Sequence, residues 1–213
     1  MQGQLLLPVL LMFMFALTRW PGLMPDNFSA AYAIAFCAGV FFSGRMAWWL
    51  PLATLLITDL ALNCYYQFGL GIDCFTWPVL LYMLGNYAGY GALFFLGRSF
   101  NPKSSFLGLL GGGILGALLF YLITNTLSWL LNPFGAPEYT KNLMGWIWAL
   151  TKGTGGWPET WTFLRNTLLS GGLFTGLFAL GMKLNESAKE AEEGEEAEES
   201  EAEPSEQPDE AKA

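Results

Sequence analysis

Long apolar runs recur along this chain at close to the length a lipid bilayer demands. A helix rises 1.5 Å per residue, so about 20 consecutive apolar residues cover the roughly 30 Å hydrocarbon layer. Candidate spans are Leu5 to Thr18, Phe28 to Phe42, Trp48 to Tyr66, Trp77 to Leu96, Phe106 to Leu131 and Trp161 to Met182. The first lacks the basic leader and small-residue cleavage site of a secretory signal, so it reads as retained. The runs are continuous and do not alternate with period two, which disfavours a β-barrel. Trp20, Trp48, Trp77, Trp129 and Trp161 stand at span ends, where an aromatic belt meets the headgroups. The expected fold is all-α: an integral membrane bundle of about six transmembrane helices, residues 1–184, followed by a disordered tail, residues 185–213.

Charge divides the chain in the same place. Only 13% of residues are charged, half the usual share of a soluble domain, and thirteen of the eighteen acidic residues follow Leu184. The net charge of −8 therefore belongs to the tail and argues nothing about nucleic acid. From Asn185 onward the tail is rich in Glu, Ala and Ser, with nothing large and apolar to bury, so disorder is the expectation. A solvating, repulsive tail is one reading of it and a partner-binding segment is another.

Residues 132–160 form a long connection rich in proline and glycine. Its middle, Asn142 to Leu150, is apolar and aromatic but too short to span, which predicts a re-entrant or interfacial helix capping the bundle. With the N-terminus in the cytoplasm, cytoplasmic segments carry Arg45, Arg98, Lys103, Lys183 and Lys189. Outer ones carry Arg19, Lys141, Lys152 and Arg165. That bias, with an even span count, places both termini in the cytoplasm.

The polar residues inside the apolar runs are the candidate site. An ionisable side chain at mid-helix costs about 2.5 to 3.5 kcal/mol on insertion scales and needs a partner or a wet cavity. Asp59 lies about 16 Å into the third span, and Asn63 is one turn on. The expected orientation puts Asn125, Arg165 and Asn166 in the outer halves of their spans and Asn86 near mid-span. Before the second span the proline-stiffened segment from Arg19 to Phe28 brings Arg19 and Asn27, and Asn27 or Asp26 is placed to cap the helix. Together these predict a cavity open to the exterior, with Asp59 and Arg165 in one outward-facing polar site. Arg19 and Arg165 suit a carboxylate or phosphate ligand, or snorkel to headgroups. Asp59 alternatively neutralises Arg165 or Arg19, and the asparagines alternatively tie helices together. The spacings Ala31, Ala35, Gly39 and Gly108, Gly112, Gly116 point to close helix packing, and Gly111 to Gly113 follows no strand, so it is no phosphate loop.

The chain has no histidine, and Cys37, Cys64 and Cys74 form no CxxC, so no metal or cofactor is expected. Cys64 and Cys74 flank a short loop and are bridged if that loop meets an oxidising compartment; Cys37 reads as a small core hydrophobe. No acid–base or nucleophile–base spacing is visible, so an enzyme is not expected.

The stretch from Arg19 to Asp59 resembles an uncharacterised bacterial multi-pass membrane family. It shares an arginine, a Pro-x-x-Pro-like loop, Asn-Phe-Ser, a helix ending Ala-Gly-x-Phe-Phe, an arginine, Pro-Leu and Thr-Asp-Leu. Pro137 to Lys141 and Phe163 to Leu168 resemble the same family's C-terminal block. That family is similar to the substrate-binding S components of energy-coupling-factor transporters, six-helix proteins that capture vitamins or metal ions from outside. The resemblance implies a site on the outer side, a location in the bacterial inner membrane, and a membrane coupling subunit with ATPases as partner. Many S components dock that subunit through Ala-x-x-x-Ala in their first helix; here the spacing occurs at Ala31 and Ala35, in the second. Uptake of a small solute is thus the leading expectation, with a structural or assembly protein as the other.

Overall fold

The computed structural model describes residues 9–10, 12–14 and 16–202. Leu5 to Pro8, Leu11 and Phe15 of the first expected span, and the tail beyond Ala202, lie outside the described residues. Helix α1 is seen in residues 9–10, 12–14 and 16–17. It is followed by α2 (Ala31–Phe41), α3 (Met46–Cys64), a π-helical turn (Tyr65–Gly69), α4 (Trp77–Arg98), α5 (Phe106–Leu131), α6 (Leu143–Thr151) and α7 (Thr160–Ala202). No strand occurs among the described residues.

Four segments are long and apolar enough to cross a bilayer: Met46–Gly69, Trp77–Arg98, Phe106–Leu131 and Thr160–Ala188. They coincide with the last four of the six expected spans. The second is shorter than expected, because α2 has only 11 residues, about 16 Å of helix. Its first ten residues, from Ala31 to Val40, are all buried. It lies at the centre of the bundle, against α3, α4, α5 and α7. Its cap also differs from expectation: the N-terminal turn is held by the Ser29 hydroxyl, which accepts from the Ala31 amide at 3.1 Å, and neither Asp26 nor Asn27 caps it.

Glycine makes that central position possible. A methyl group built on Gly39 would overlap the Phe94 carbonyl oxygen, and one on Gly97 would overlap that of Phe36. The backbones of α2 and α4 therefore touch, and only residues without Cβ fit there. Gly112 seats the ring edges of Phe36 and Phe100, Gly113 receives Thr175 of α7, and Gly89 receives Phe120 of α5. Gly39, Gly112 and Gly116 follow the expected small-residue pattern, whereas a methyl on Gly108 meets only its own N-cap, Ser105. Ala31 and Ala35 are buried within the bundle. Phe36, Phe41, Phe42, Phe94, Phe174 and Phe178 fill the remaining core around α2.

The helices alternate in direction. At one end Asn166 of α7 donates to the Asp26 carbonyl at 2.8 Å, and at the other Arg98 of α4 donates to the Phe42 carbonyl at 3.3 Å. Exposed Trp20, Trp77 and Trp161 mark the first end, and Trp48 and Trp49 the second.

The long connection is ordered as the sequence reading anticipates, with the nine-residue α6 as its middle. Asn142 caps it by accepting from the Gly145 amide at 2.9 Å. The Trp146 indole donates to Thr126 at 2.9 Å and the Tyr121 hydroxyl donates to the Leu150 carbonyl, which fastens α6 to α5. Lys141 donates to the carbonyls of Trp129 and Leu130, satisfying the end of α5 where a cation also opposes the helix dipole.

The tail departs from expectation. Its described part, residues 185–202, continues α7 as helix instead of being disordered from Asn185. Alanine, glutamate and lysine are strong helix formers, and a helix already nucleated in the bundle extends at little further entropy. Cys37, Cys64 and Cys74 are free thiols, so the possible bridge between Cys64 and Cys74 is not formed, and Cys37 is buried in the core.

Replacing Gly97 with alanine should lower the melting temperature strongly, on the order of 1 to 3 kcal/mol or more of overpacking. Gly91→Ala, where an added methyl meets nothing within 4 Å, should be neutral or slightly stabilising. Thermal melts of the two variants in detergent check this.

Candidate functional site

The C-terminal end of α1 delivers Arg19 to the flank of α3. Its guanidinium donates to Thr58 Oγ1 at 2.5 Å, to the Leu55 carbonyl at 3.4 Å, and to Asp59 Oδ1. Thr58 is prepared for this, because its own hydroxyl proton goes to the Thr54 carbonyl at 2.8 Å and a lone pair is left for the arginine. The Arg19 and Asp59 side chains are only 10% and 14% exposed, so this pair is largely desolvated. A charge-assisted bond in such surroundings is strong, and loss of either partner strands the other.

The pair occupies a distinctive place. The backbones of α3 and α4 do not pack on each other, and the two helices are bridged by side chains. Asn63 donates to the Met83 sulfur at 3.0 Å, and Trp48 lies 4.0 Å from Phe94 between ring centroids. Between those two bridges, Arg19 and Asp59 interact electrostatically with Tyr87 and Tyr90 of α4, and Arg19 also with Tyr32 of α2. The Tyr87 and Tyr90 rings meet edge to face at 5.9 Å, and Tyr90 stacks on Phe120 at 4.9 Å. The Tyr87 hydroxyl is buried beside Asp59 without a hydrogen bond of good geometry. A buried hydroxyl left in that state is uncommon and asks for an explanation.

Arg19, Asp59 and Asn63 of the expected set thus gather at α3. Arg165 does not join them: it is exposed, and its Nε donates to Asn166 Oδ1 at 3.3 Å. The expected Asp59 and Arg165 site is therefore not formed, because α3 lies on the far side of α2 from α7 and Arg19 reaches Asp59 first. Asn166 is buried and holds the Asp26 carbonyl. Asn27 has a left-handed backbone, φ 56°, and its carbonyl accepts from the Tyr32 hydroxyl at 3.3 Å. Asn86 lies beside Tyr82 of its own helix, and Asn125 donates back to the Tyr121 carbonyl of its own helix at 2.9 Å. A separate surface depression of about 330 Å³ lies at the α3–α4 turn, lined by Gln67, Phe68, Asp73, Phe75 and Thr76.

Tyr87 and Tyr90 were not singled out by sequence reasoning. The signal was present: they lie about 15 to 20 Å into α4, away from the interfacial belt where tyrosine is ordinary.

The long connection between α5 and α7 carries its own electrostatics. Glu138 accepts from the Gly155 amide at 2.9 Å, and that bond holds its carboxyl below the usual glutamate range. Glu159 is lowered likewise by Lys152, at 2.5 Å, and then by the Trp161 indole.

An all-helical bundle with four bilayer-length apolar helices and a desolvated ion pair among them defines the class: a membrane protein. A family model matches residues 1–193, and the chain belongs to that family of unknown function, DUF6580. The match carries no link to energy-coupling-factor components. No curated protein and no solved structure matches the chain.

Two outcomes are expected. In a double-mutant cycle on melting temperature, Asp59→Ala should cost on the order of 3 kcal/mol and couple to Arg19→Ala by more than about 1 kcal/mol. The Asp59 and Arg165 cycle should be additive within about 0.5 kcal/mol. Separately, a lowered carboxyl value gives a contribution that is full above the ordinary glutamate value of about 4.3 and is lost as pH falls through the lowered one. Protection of the Gly155 amide, corrected for intrinsic exchange, should drop in that acidic window, and Glu138→Gln should abolish the dependence.

Proposed function

We propose that this protein captures a small polar solute within its membrane-embedded bundle and serves its uptake, with the space between α3 and α4 as the site. The observation that carries this reading is the buried Arg19 and Asp59 pair with the buried Tyr87 hydroxyl beside it. Charges and hydroxyls set among aromatic rings between two side-chain-bridged helices are what a small-molecule site in a bundle requires.

On this reading the chain crosses the inner membrane six times, with both termini cytoplasmic. The buried α2 makes the second crossing together with the non-helical residues that flank it. Non-helical backbone is tolerated at that depth because protein surrounds it. Resemblance to S components makes a coupling subunit with ATPases the natural partner. The Ala31 and Ala35 pair is occupied in internal packing, so docking would use another surface.

A second reading, a structural or assembly protein without a ligand, draws on Asn166, Asn125 and Asn63. All three are engaged in ties within the fold.

Thermal-shift screening of the purified protein against vitamins, metal ions and other small polar solutes separates the two. A binder at 100 times its dissociation constant adds about 2.7 kcal/mol, and Arg19→Gln should remove that gain. A flat response across the panel would leave the structural reading standing. For topology, protease added outside intact cells should spare the C-terminal segment; its removal from outside would reverse the orientation.

A further inference from the structure

We infer that the Arg19–Asp59 pair is the docking point for a small zwitterion, a molecule with one cationic amine and one carboxylate, which enters by replacing each partner with its own opposite charge. This inference rests on the solute-binding reading and adds the ligand's charge type. The argument is one of charge balance in a desolvated place. A simple anion drawn to Arg19 would displace the Asp59 carboxylate and leave two negative charges sharing one guanidinium. A simple cation drawn to Asp59 would leave Arg19 unpaired beside a second positive charge. Either case leaves a net charge in surroundings where both side chains are nearly excluded from solvent. A zwitterion keeps the net charge at zero and gives every charged group a partner.

The surrounding groups suit both ends of such a molecule. The Tyr87 hydroxyl is buried beside Asp59 with no hydrogen bond of good geometry, and it is electrostatically coupled to Asp59 and to Arg19. As donor and acceptor it can serve a carboxylate or an ammonium. Arg19 already spreads its donors over Thr58, the Leu55 carbonyl and Asp59. A ligand carboxylate therefore needs to displace one bond and not the whole set.

The test uses the purified full-length protein and matched probe sets: the protein amino acids, the amines formally derived from them by loss of carboxylate, and the carboxylic acids formally derived by loss of the amine. At least one amino acid should raise the melting temperature, with its matched amine and acid at least tenfold weaker. Asp59→Asn should move the preference to the acid, and Arg19→Gln to the amine. If those variants fail to fold, Tyr87→Phe, which removes one hydroxyl and leaves the Arg19–Asp59 pair in place, should fold normally and weaken zwitterion binding roughly five- to tenfold. Equal response to amine or acid alone, or an unchanged affinity in Tyr87→Phe, overturns the inference. If a solute of another charge type binds in an Arg19-dependent manner, the solute-binding reading survives and this inference falls. If no probe of any charge type binds, and the wider solute panel is also flat, both fall.

Discussion

Backbone contact between α2 and α4 at Gly39 and Gly97 sets the geometry on which everything else depends. With no Cβ on either glycine, each helix lies against the other's carbonyls. Burial of α2 on every side follows from that approach, since α5 and α7 close over the faces α4 leaves free. In a bilayer, lipid tails are as apolar as the side chains and give little reason for helices to associate. Close packing and internal hydrogen bonds must hold the bundle, which is why small residues recur at its tightest contacts.

The same geometry makes room for charge. Because α4 is drawn in toward α2, α3 is joined to it by side chains from Trp48 to Asn63 and not along its backbone. Arg19 enters the intervening space from the end of α1. Its pairing with Asp59 removes the penalty each charge would carry alone, and Thr58 orients it. At that same end of the bundle the connection before α7 is tied down by Asn142, Lys141, Glu138 and Trp146, so this end is framed by ordered structure and not by a free loop.

Much of this was legible in the chain itself. Continuous apolar runs marked α3, α4, α5 and the first part of α7, because the hydrocarbon thickness sets a length that composition reveals directly. The nine-residue apolar island after Asn142 marked α6 for the converse reason. Isolated polar residues in apolar surroundings marked Arg19 and Asp59 as groups that need partners, since the medium penalises them wherever they stand. The glycine and alanine spacing of α2 announced close packing without naming its partner. The extension of α7 beyond Asn185 was missed because composition reports what a segment can bury, and a helix already formed in the bundle can propagate into a segment with little apolar surface.

What the sequence by itself determined, then, was which segments are helical, which are membrane-length, and which polar side chains need partners, because each follows from local chemistry in an apolar solvent. Only the tertiary structure decided the partners. Arg19 and Arg165 are equivalent cations to a reader of the chain, yet one lies against α3 and the other on the surface of α7, and no local property separates them. The tyrosines of α4 joined the polar site for the same reason: their significance comes from the helix that faces them, and helix crossing is settled by packing over the whole bundle.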